Sequence, residues 1–249
     1  MGTHRGALQE APRLKLSVVV PAFNEERLLA GSLAAIRTAM AVFEESELIV
    51  CDNNSTDRTA EIARAAGAQV VFEPLNQIAR ARNRGAAAAG GDWLVFVDAD
   101  SYPSKELFQE VSVEIRNGTI AGGATVTLHT TRRFVRAWIG AWNFLSRRAR
   151  WAAGSFIFCE AAAFRELGGF DEQFYAGEEI DFSRRLKRLA RHRGREMVIL
   201  HRHPLVTSGR KEHLYTLREF FAFMLKTLFT GGRTLRSKAA CYGWYDGRR

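Results

Sequence analysis

Trp93-Leu94-Val95-Phe96-Val97-Asp98-Ala99-Asp100-Ser101-Tyr102-Pro103 is the stretch that decides the fold. Five apolar residues in a row predict a buried strand. The run stops at two carboxylates one residue apart, and Pro103 suits the first turn of a following helix. Asp98 and Asp100 are therefore expected at the carboxyl end of a buried strand, where open α/β sheets bind their ligands. An Asp-x-Asp pair there can seat a hard divalent cation, which takes oxygen ligands and shares them with substrate phosphates. The pair also suits a simpler duty, capping the next helix.

The residues before this stretch repeat one pattern. Leu16-Ser17-Val18-Val19-Val20 is a buried strand, and Pro21-Ala22-Phe23-Asn24-Glu25-Glu26 is its C-terminal loop. A helix is expected over 25–41, with Leu28, Leu29, Leu33 and Ile36 on its apolar face. Leu48-Ile49-Val50-Cys51 is a second strand, closed by Asp52-Asn53-Asn54-Ser55-Thr56-Asp57, a run of turn and cap residues. A helix over 59–66, a short strand over 70–72 and an Ala-rich helix over 78–89 complete the approach to Trp93. Four alternations of strand and helix predict a parallel α/β unit. The first strand lacks Gly-x-Gly-x-x-Gly, which argues against a dinucleotide fold. The chain has no Gly-x-x-x-x-Gly-Lys-Ser/Thr either, which argues against a P-loop. Polar groups nevertheless recur at three strand ends: Asn24 and Glu25, Asp52 and Asn54, Asp98 and Asp100. Three such clusters along one sheet edge favour a ligand site over ordinary loop chemistry.

The 249 residues suit one large α/β domain or two small ones. Three widely spaced cysteines, Cys51, Cys159 and Cys241, fit a reducing compartment better than a disulfide framework. Residues 1–13 carry no apolar run and read as a flexible lead, not a secretory signal. No apolar stretch approaches the roughly 20 residues that span a bilayer. The expected location is cytoplasmic, with the inner membrane face as an alternative. The net charge of +9 is concentrated in arginine clusters of the second half, at 132–133, 147–150, 184–188 and 191–193. Such a surface suits nucleic acid, a phosphorylated substrate or an anionic membrane face, or it is simply a solvated helix face.

Val-Val-Val-Pro-Ala-Phe-Asn-Glu-Glu, Asp-Asn-Asn-Ser-Thr-Asp, Ala-Arg-Asn-Arg-Gly and Val-Asp-Ala-Asp follow one another between Leu16 and Pro103. Gly168-Gly169-Phe170-Asp171-Glu172 and Gly177-Glu178-Glu179-Ile180-Asp181 follow later. In order and spacing these resemble the motifs of the family 2 glycosyltransferases. The resemblance implies an α/β GT-A fold: a Rossmann-like, mostly parallel central sheet flanked by helices, with a C-terminal acceptor-side subregion. Residues 14–103 would form the nucleotide-sugar-binding half and 104–249 the acceptor-binding half. Pro21, Ala22 and Glu25 match the loop beside the nucleotide. Asp52 matches the acid that accepts from a base N–H, commonly of uracil. Where many members have a second Asp and a Gly, this chain has Asn53 and Asn54, which leaves the choice of base open. Arg80 and Arg82 match a region that touches the nucleotide or its phosphates, or else they lie on an exposed helix face. Asp98 would contact the ribose or sugar. Asp100 would bind the Mn²⁺ or Mg²⁺ that bridges the diphosphate.

In the second half, a helix is expected over 103–116, a β-rich stretch over 121–128 and a strand over 154–159 with a helix after it. Gly122-Gly123 would admit something closely. Residues 134–145 carry Phe134, Trp138, Ile139, Trp142 and Leu145 at helical spacing. They read first as a core-facing helix and second as an interfacial one. Glu178, Glu179 and Asp181 open another helix, where acids complement the macrodipole. The family places its catalytic base in a Glu-Asp pair here, so Glu179 is the expected base despite its extra methylene, with Asp181 in reserve. A last strand over 196–200 leads to His201-Arg202-His203-Pro204, where His203 or His201 could complete a metal shell. Ser208-Gly209-Arg210-Lys211 could meet the leaving diphosphate, and 213–229 reads as an amphipathic helix.

The resemblance thus implies a metal-dependent transferase that moves a sugar from a nucleoside-diphosphate sugar, UDP-linked, to an acceptor hydroxyl with inversion, as the family does, while the spacing of residues leaves retention open. The acceptor class stays open among lipid-linked, polysaccharide and small molecules. The rivals are a catalytically silent nucleotide-sugar-binding protein and a basic nucleic-acid-binding protein. The second has no helix-turn-helix or RNA-binding aromatic motif to support it, so no nucleic-acid partner is expected. A nucleotidyltransferase is disfavoured by the missing Gly-rich opening loop.

Overall fold

The computed structural model describes residues 14–128, 130, 132–208, 227, 230 and 232–241. The expected lead, the Gly209-Arg210-Lys211 cations and, Thr227 apart, the helix expected over 213–229 fall outside these residues. The first half runs β1 (Lys15–Ala22), α1 (Leu29–Met40), β2 (Glu45–Asp52), α2 (Thr59–Ala65), β3 (Gln69–Phe72), α3 (Ile78–Ala87) and β4 (Trp93–Val97). A two-residue strand, β5 (Ser101–Tyr102), precedes α4 (Lys105–Arg116), β6 (Ala121–Leu128) and α5 (Arg133–Ala149). Then come β7 (Phe156–Glu160), α6 (Ala161–Glu166), α7 (Glu178–His192) and β8 (Met197–Thr207).

All eight strands join one sheet in the order β3-β2-β1-β4-β7-β6-β8-β5. β3, β2, β1 and β4 run parallel. β7 is antiparallel to both β4 and β6, so β6 and the parallel β8 point the same way as the first four. β5 reverses against β8. Side-chain alternation along β4 explains its unbroken apolar run. Trp93, Val95 and Val97 pack with Leu33, Ile36, Leu107 and Phe108 of α1 and α4 on one face. Leu94 and Phe96 pack with Ala79, Phe164, Phe170 and Phe182 on the other. A strand between two helical layers has no polar face, as a buried parallel strand requires.

The helices begin where the loops release them. Residues 23–26 are held by the neighbouring β2–α2 loop, so α1 starts at Leu29 and not at Glu25. Pro103 lies just before α4, whose cap is Ser104 accepting from the Leu107 amide. Gly122 and Gly123 do admit close neighbours. A Cβ on Gly122 would sit 2.4 Å from Phe158 Cζ and 2.7 Å from the Val198 carbonyl oxygen, and one on Gly123 would sit 2.5 Å from Ala152 Cβ.

Two expectations are corrected. The last strand does not end at 200. Between the Ala124–Leu200 and Val126–Leu205 pairings β8 has four residues to the partner's one, and His201-Arg202-His203-Pro204 bow out into solvent before pairing resumes. The helix at 134–145 is not core-facing: in the 17 residues of α5 only Ser146 is buried. Asn143 fixes its orientation, accepting from the Val126 amide at 3.0 Å and donating to the Val126 carbonyl at 2.9 Å. All three cysteines are buried thiols. Burial pushes Cys51 up to about 12, Cys241 up to about 11, and Cys159 above the ordinary range as well.

Overpacking tests the glycine contact. Gly122→Ala should lower stability by about 1–3 kcal/mol, read as a fall in urea midpoint. Gly140→Ala, on α5 with nothing within 4 Å of its added Cβ, should raise stability by about 0.5–1 kcal/mol.

Candidate active site

The C-terminal ends of β1, β2 and β4 form one edge, because their registers align: Ala22 pairs with Asp52, and Val19 pairs with both Ile49 and Phe96. Pro21 and Ala22 end β1 at this edge, and Glu25 is buried in the loop beyond. The loops after β1 and β2 are stitched together. Asn24 and Asn54 adopt positive φ, a conformation Asn tolerates better than most residues. Asn24 donates its amide to Ser55 Oγ and accepts from the Thr56 amide, and the Glu25 amide donates to Thr59 Oγ1. Asp52 is buried, and its Oδ1 accepts from the Ser55 amide at 3.0 Å.

Asn53, which departs from the family pattern, is a latch. Its side chain donates to the Glu73 and Leu75 carbonyls and accepts from the Gln77 amide, while its own amide donates to Ala22. A carboxylate could not donate those two bonds. The amide therefore fixes the β3–α3 loop beside Asp52.

Arg80, Arg82, Asn83 and Gly85 of α3 tie the helix to several separate stretches of the chain. Arg80 lies between Glu73 at 3.1 Å and Glu172 at 2.6 Å, and these carboxylates raise its pKa. Asn83 exchanges hydrogen bonds with both backbone groups of Phe170. Gly85 lets Val19 approach to 2.4 Å of where a Cβ would stand. Arg82 is 1% exposed. It donates to Glu178 Oε1 at 2.6 Å, to Asp98 Oδ1 at 3.0 Å and to the Gly154 carbonyl at 2.7 Å. Arg82 was expected on the nucleotide or on an exposed face. It does neither, because its guanidinium is enclosed by these partners and by the Phe170 ring 5.3 Å away.

Two carboxylates meet Arg82 from different elements: Asp98 from the end of β4 and Glu178 from the first turn of α7. Glu179 follows Glu178 and reaches the same corner, its carboxyl carbon 3.5 Å from where a Cβ on Gly154 would stand. Burial, and then the Glu178 charge, push the Glu179 carboxyl up to about 8, against the opposing pull of Arg82. The helix terminus alone would act the other way. Gly177 opens this turn at φ +77°, and the Leu235 carbonyl accepts from Tyr175 at 2.7 Å, so the short C-terminal segment braces the α7 entrance.

The remaining expected residues separate. Asp100 is half-buried, and its Oδ2 accepts from Ser208 Oγ at 2.7 Å. Ser208, the first residue of the stretch expected at the leaving diphosphate, follows β8 and stands against Asp100. Asp181 is drawn off by Arg185, 2.7 Å away, whose other nitrogens donate to the Leu167 and Gly169 carbonyls. This ion pair lines a separate cavity of about 500 Å³ with Asn83 and Glu172. His203 sits in the outward bow of β8, and its Nδ1 is 2.5 Å from Glu110 on α4. That contact, on an exposed surface, replaces the expected place beside Asp100. Among the described residues no cluster of three His, Cys, Asp or Glu could enclose a metal. Asp100 as one carboxylate still fits Mg²⁺ or Mn²⁺, which complete their shells with diphosphate oxygens and water.

This strand order, with its acidic edge, defines a GT-A fold. The glucosyl-3-phosphoglycerate synthase of Mycobacterium tuberculosis, solved with Mn²⁺, UDP and phosphoglyceric acid, superposes with a TM-score of 0.61 at 20% identity. That match covers 92% of this chain and 78% of the other. The mannosyltransferase PcManGT of Pyrobaculum calidifontis, solved with GDP-Man and Mn²⁺, gives 0.63 at 21% identity, covering 79% and 57%. The Glycosyl transferase family 2 profile matches residues 17–167, more than half of the sequence, and the chain belongs to that family. The probable glycosyltransferase YdaM of Bacillus subtilis is 27% identical over 213 residues, covering 76% of this chain. The chain spans 50% of that relative's length.

The Arg82 cluster sets two outcomes. Arg82→Met should cost about 3–5 kcal/mol in urea unfolding, because Glu178 would be left buried without a counter-charge. Glu179 acts on stability with the opposite sign to a salt-bridged acid. Its folded pKa of about 8 lies above the ordinary 4.5, so the native state holds more protons than the unfolded state between these values. Stability should therefore fall as pH rises across that window. Glu179→Gln should flatten this fall, raising Tm over the parent at pH 8 more than at pH 5; parallel Tm curves would refute it.

Proposed function

We propose that this chain transfers a sugar from a nucleoside-diphosphate sugar, UDP-linked, to an acceptor hydroxyl with inversion at the anomeric carbon. The observation that carries this reading is the corner where Arg82 draws Asp98 and Glu178 together beside a Glu179 of raised pKa. Membership of the family and the UDP bound to the mycobacterial synthase support it. The GDP-Man of PcManGT leaves guanine as the competing base.

Asp52 accepts from the base N–H, and Pro21, Ala22 and Glu25 wall the base and ribose. Asp98, its carboxylate aimed by Arg82, faces the ribose or sugar. Asp100 would hold the divalent cation, which when bound would offset charge on the departing diphosphate. Glu179 takes the proton of the acceptor hydroxyl as that oxygen bonds to the anomeric carbon. The bond from that carbon to the diphosphate breaks on the opposite face, and the electron pair leaves with the nucleotide. Arg82 and Glu178 are positioning residues: they fix the first turn of α7 so that Glu179 points at the corner. Arg80, committed to Glu73 and Glu172, braces the same helix end.

A base with a pKa near 8 serves well close to neutral pH, since it is strong enough to accept a proton and partly ionised. In the free enzyme kcat/KM should rise with pH and level off near 8, and a flat profile from pH 6 to 9 would remove Glu179 from the role. Glu179→Gln should lower kcat by about 10²–10⁴-fold with the calorimetric affinity for UDP intact, whereas Asp181→Asn should not. Asp100→Ala should abolish the Mn²⁺-dependent part of UDP binding; a titration unaffected by EDTA would defeat the cation assignment.

A further inference from the structure

α5 turns its apolar residues away from the protein. Phe144 is 74% exposed, Phe134 48%, Leu145 46% and Trp138 41%. At 100° per residue these four side chains and Ala137 and Ala141 share the sector opposite Asn143, which holds the helix to β6. Exposed arginines crowd one flank: Arg133 borders the sector, Arg148 lies within it near the C-terminal end, and Arg136 and Arg147 lie further round toward Asn143. No aspartate or glutamate occurs between Glu114 and Glu160. Lys187, whose Nζ donates to the Ala149 carbonyl at 2.8 Å, is lowered from the ordinary lysine range by burial and by Arg191, Arg150 and Arg148. Arg150 itself is 3.6 Å from Glu196.

Large outward hydrophobes with arginines along one flank match the depth profile of a bilayer surface, apolar below and phosphate above. A second copy of this chain would offer the same arginines and, between Glu114 and Glu160, no acid to meet them. A phosphate backbone alone could not bury Phe144. Seventeen residues at about 1.5 Å each give α5 a length of about 26 Å, and among the described residues no helix is long and apolar enough to cross a membrane. α5 follows β6, whose carboxyl end lies on the same edge as Asp98. It runs directly into 150–154, where the Gly154 carbonyl binds Arg82 beside Glu179.

We infer that α5 lies in the headgroup region of an anionic bilayer, its Phe134–Phe144–Leu145 face inserted and its arginines on lipid phosphates. This rests on the transferase reading in one respect: the acceptor hydroxyl is then one carried by a molecule anchored in that bilayer, delivered to Glu179 at the membrane surface.

The test is co-sedimentation of the full chain with vesicles of phosphatidylcholine alone or mixed with phosphatidylglycerol, with UDP titration on the same sample. The chain should pellet with the anionic vesicles and stay in solution with the neutral ones, and binding should weaken as salt rises. Phe134→Ser with Phe144→Ser should weaken partition by about tenfold or more. Arg147→Glu with Arg148→Glu should weaken it by about fivefold or more per residue. Both double variants should keep the parent's UDP affinity. Failure to pellet with anionic vesicles overturns the proposal, as does equal pelleting with neutral ones or full retention by the serine variant. A solution dimer that Phe144→Ser dissolves also overturns it, because the face would then be self-paired. The donor reading has its own readout: a chain that binds anionic vesicles and no nucleotide supports the docking helix and refutes the transferase.

Discussion

A guanidinium removed from water must be neutralised where it stands, and Arg82 meets this demand with groups from three separate stretches of chain. Asp98 comes from the end of β4, Gly154 from the approach to β7, and Glu178 from the start of α7. The parallel half of the sheet and the mixed half are joined through the β4–β7 pairing, but backbone ladders do not fix where α7 begins. The Arg82 charge does. It also determines which acid is held and which is left. Glu178 takes the short contact, and Glu179, one residue on, stays next to it. Burial first, and then the Glu178 charge, raise the Glu179 pKa against the weaker pull of Arg82.

Much of this was legible in the sequence. Strands β1, β2 and β4 announce themselves because a strand between two helical layers must be apolar on both sides. The helices of the first half show a 3.6-residue period and end at turn residues. Asp52, Asp98, Asp100 and Glu179 could be singled out as candidates because each stands at a recurrent place in a motif. The role of Arg82 could not. An arginine in an Ala-rich helix reads as solvated, and only the tertiary arrival of Asp98 and Glu178 makes its burial tolerable.

Two further misreadings have the same origin. The period of α5 shows that it has an apolar face but not which way that face turns, and one asparagine hydrogen-bonded to Val126 decides it. His203, with His201, was a candidate ligand because GT-A enzymes often complete the metal shell with a His near the diphosphate. The strand in fact continues, and the four-residue bow sends the imidazole to Glu110. Local pattern specifies an element, while its rotation and register depend on partners distant in sequence.

The buried cysteines have a consequence for following the molecule in solution. Cys51 lies in the parallel half of the sheet, Cys159 in β7 next to the Asp98 strand, and Cys241 in the segment that braces the α7 entrance. None can react with an alkylating reagent until the structure around it opens. The protein therefore carries three native labelling clocks, one in each region. Their relative rates separate loosening of the C-terminal brace from opening of the sheet without introducing a single probe.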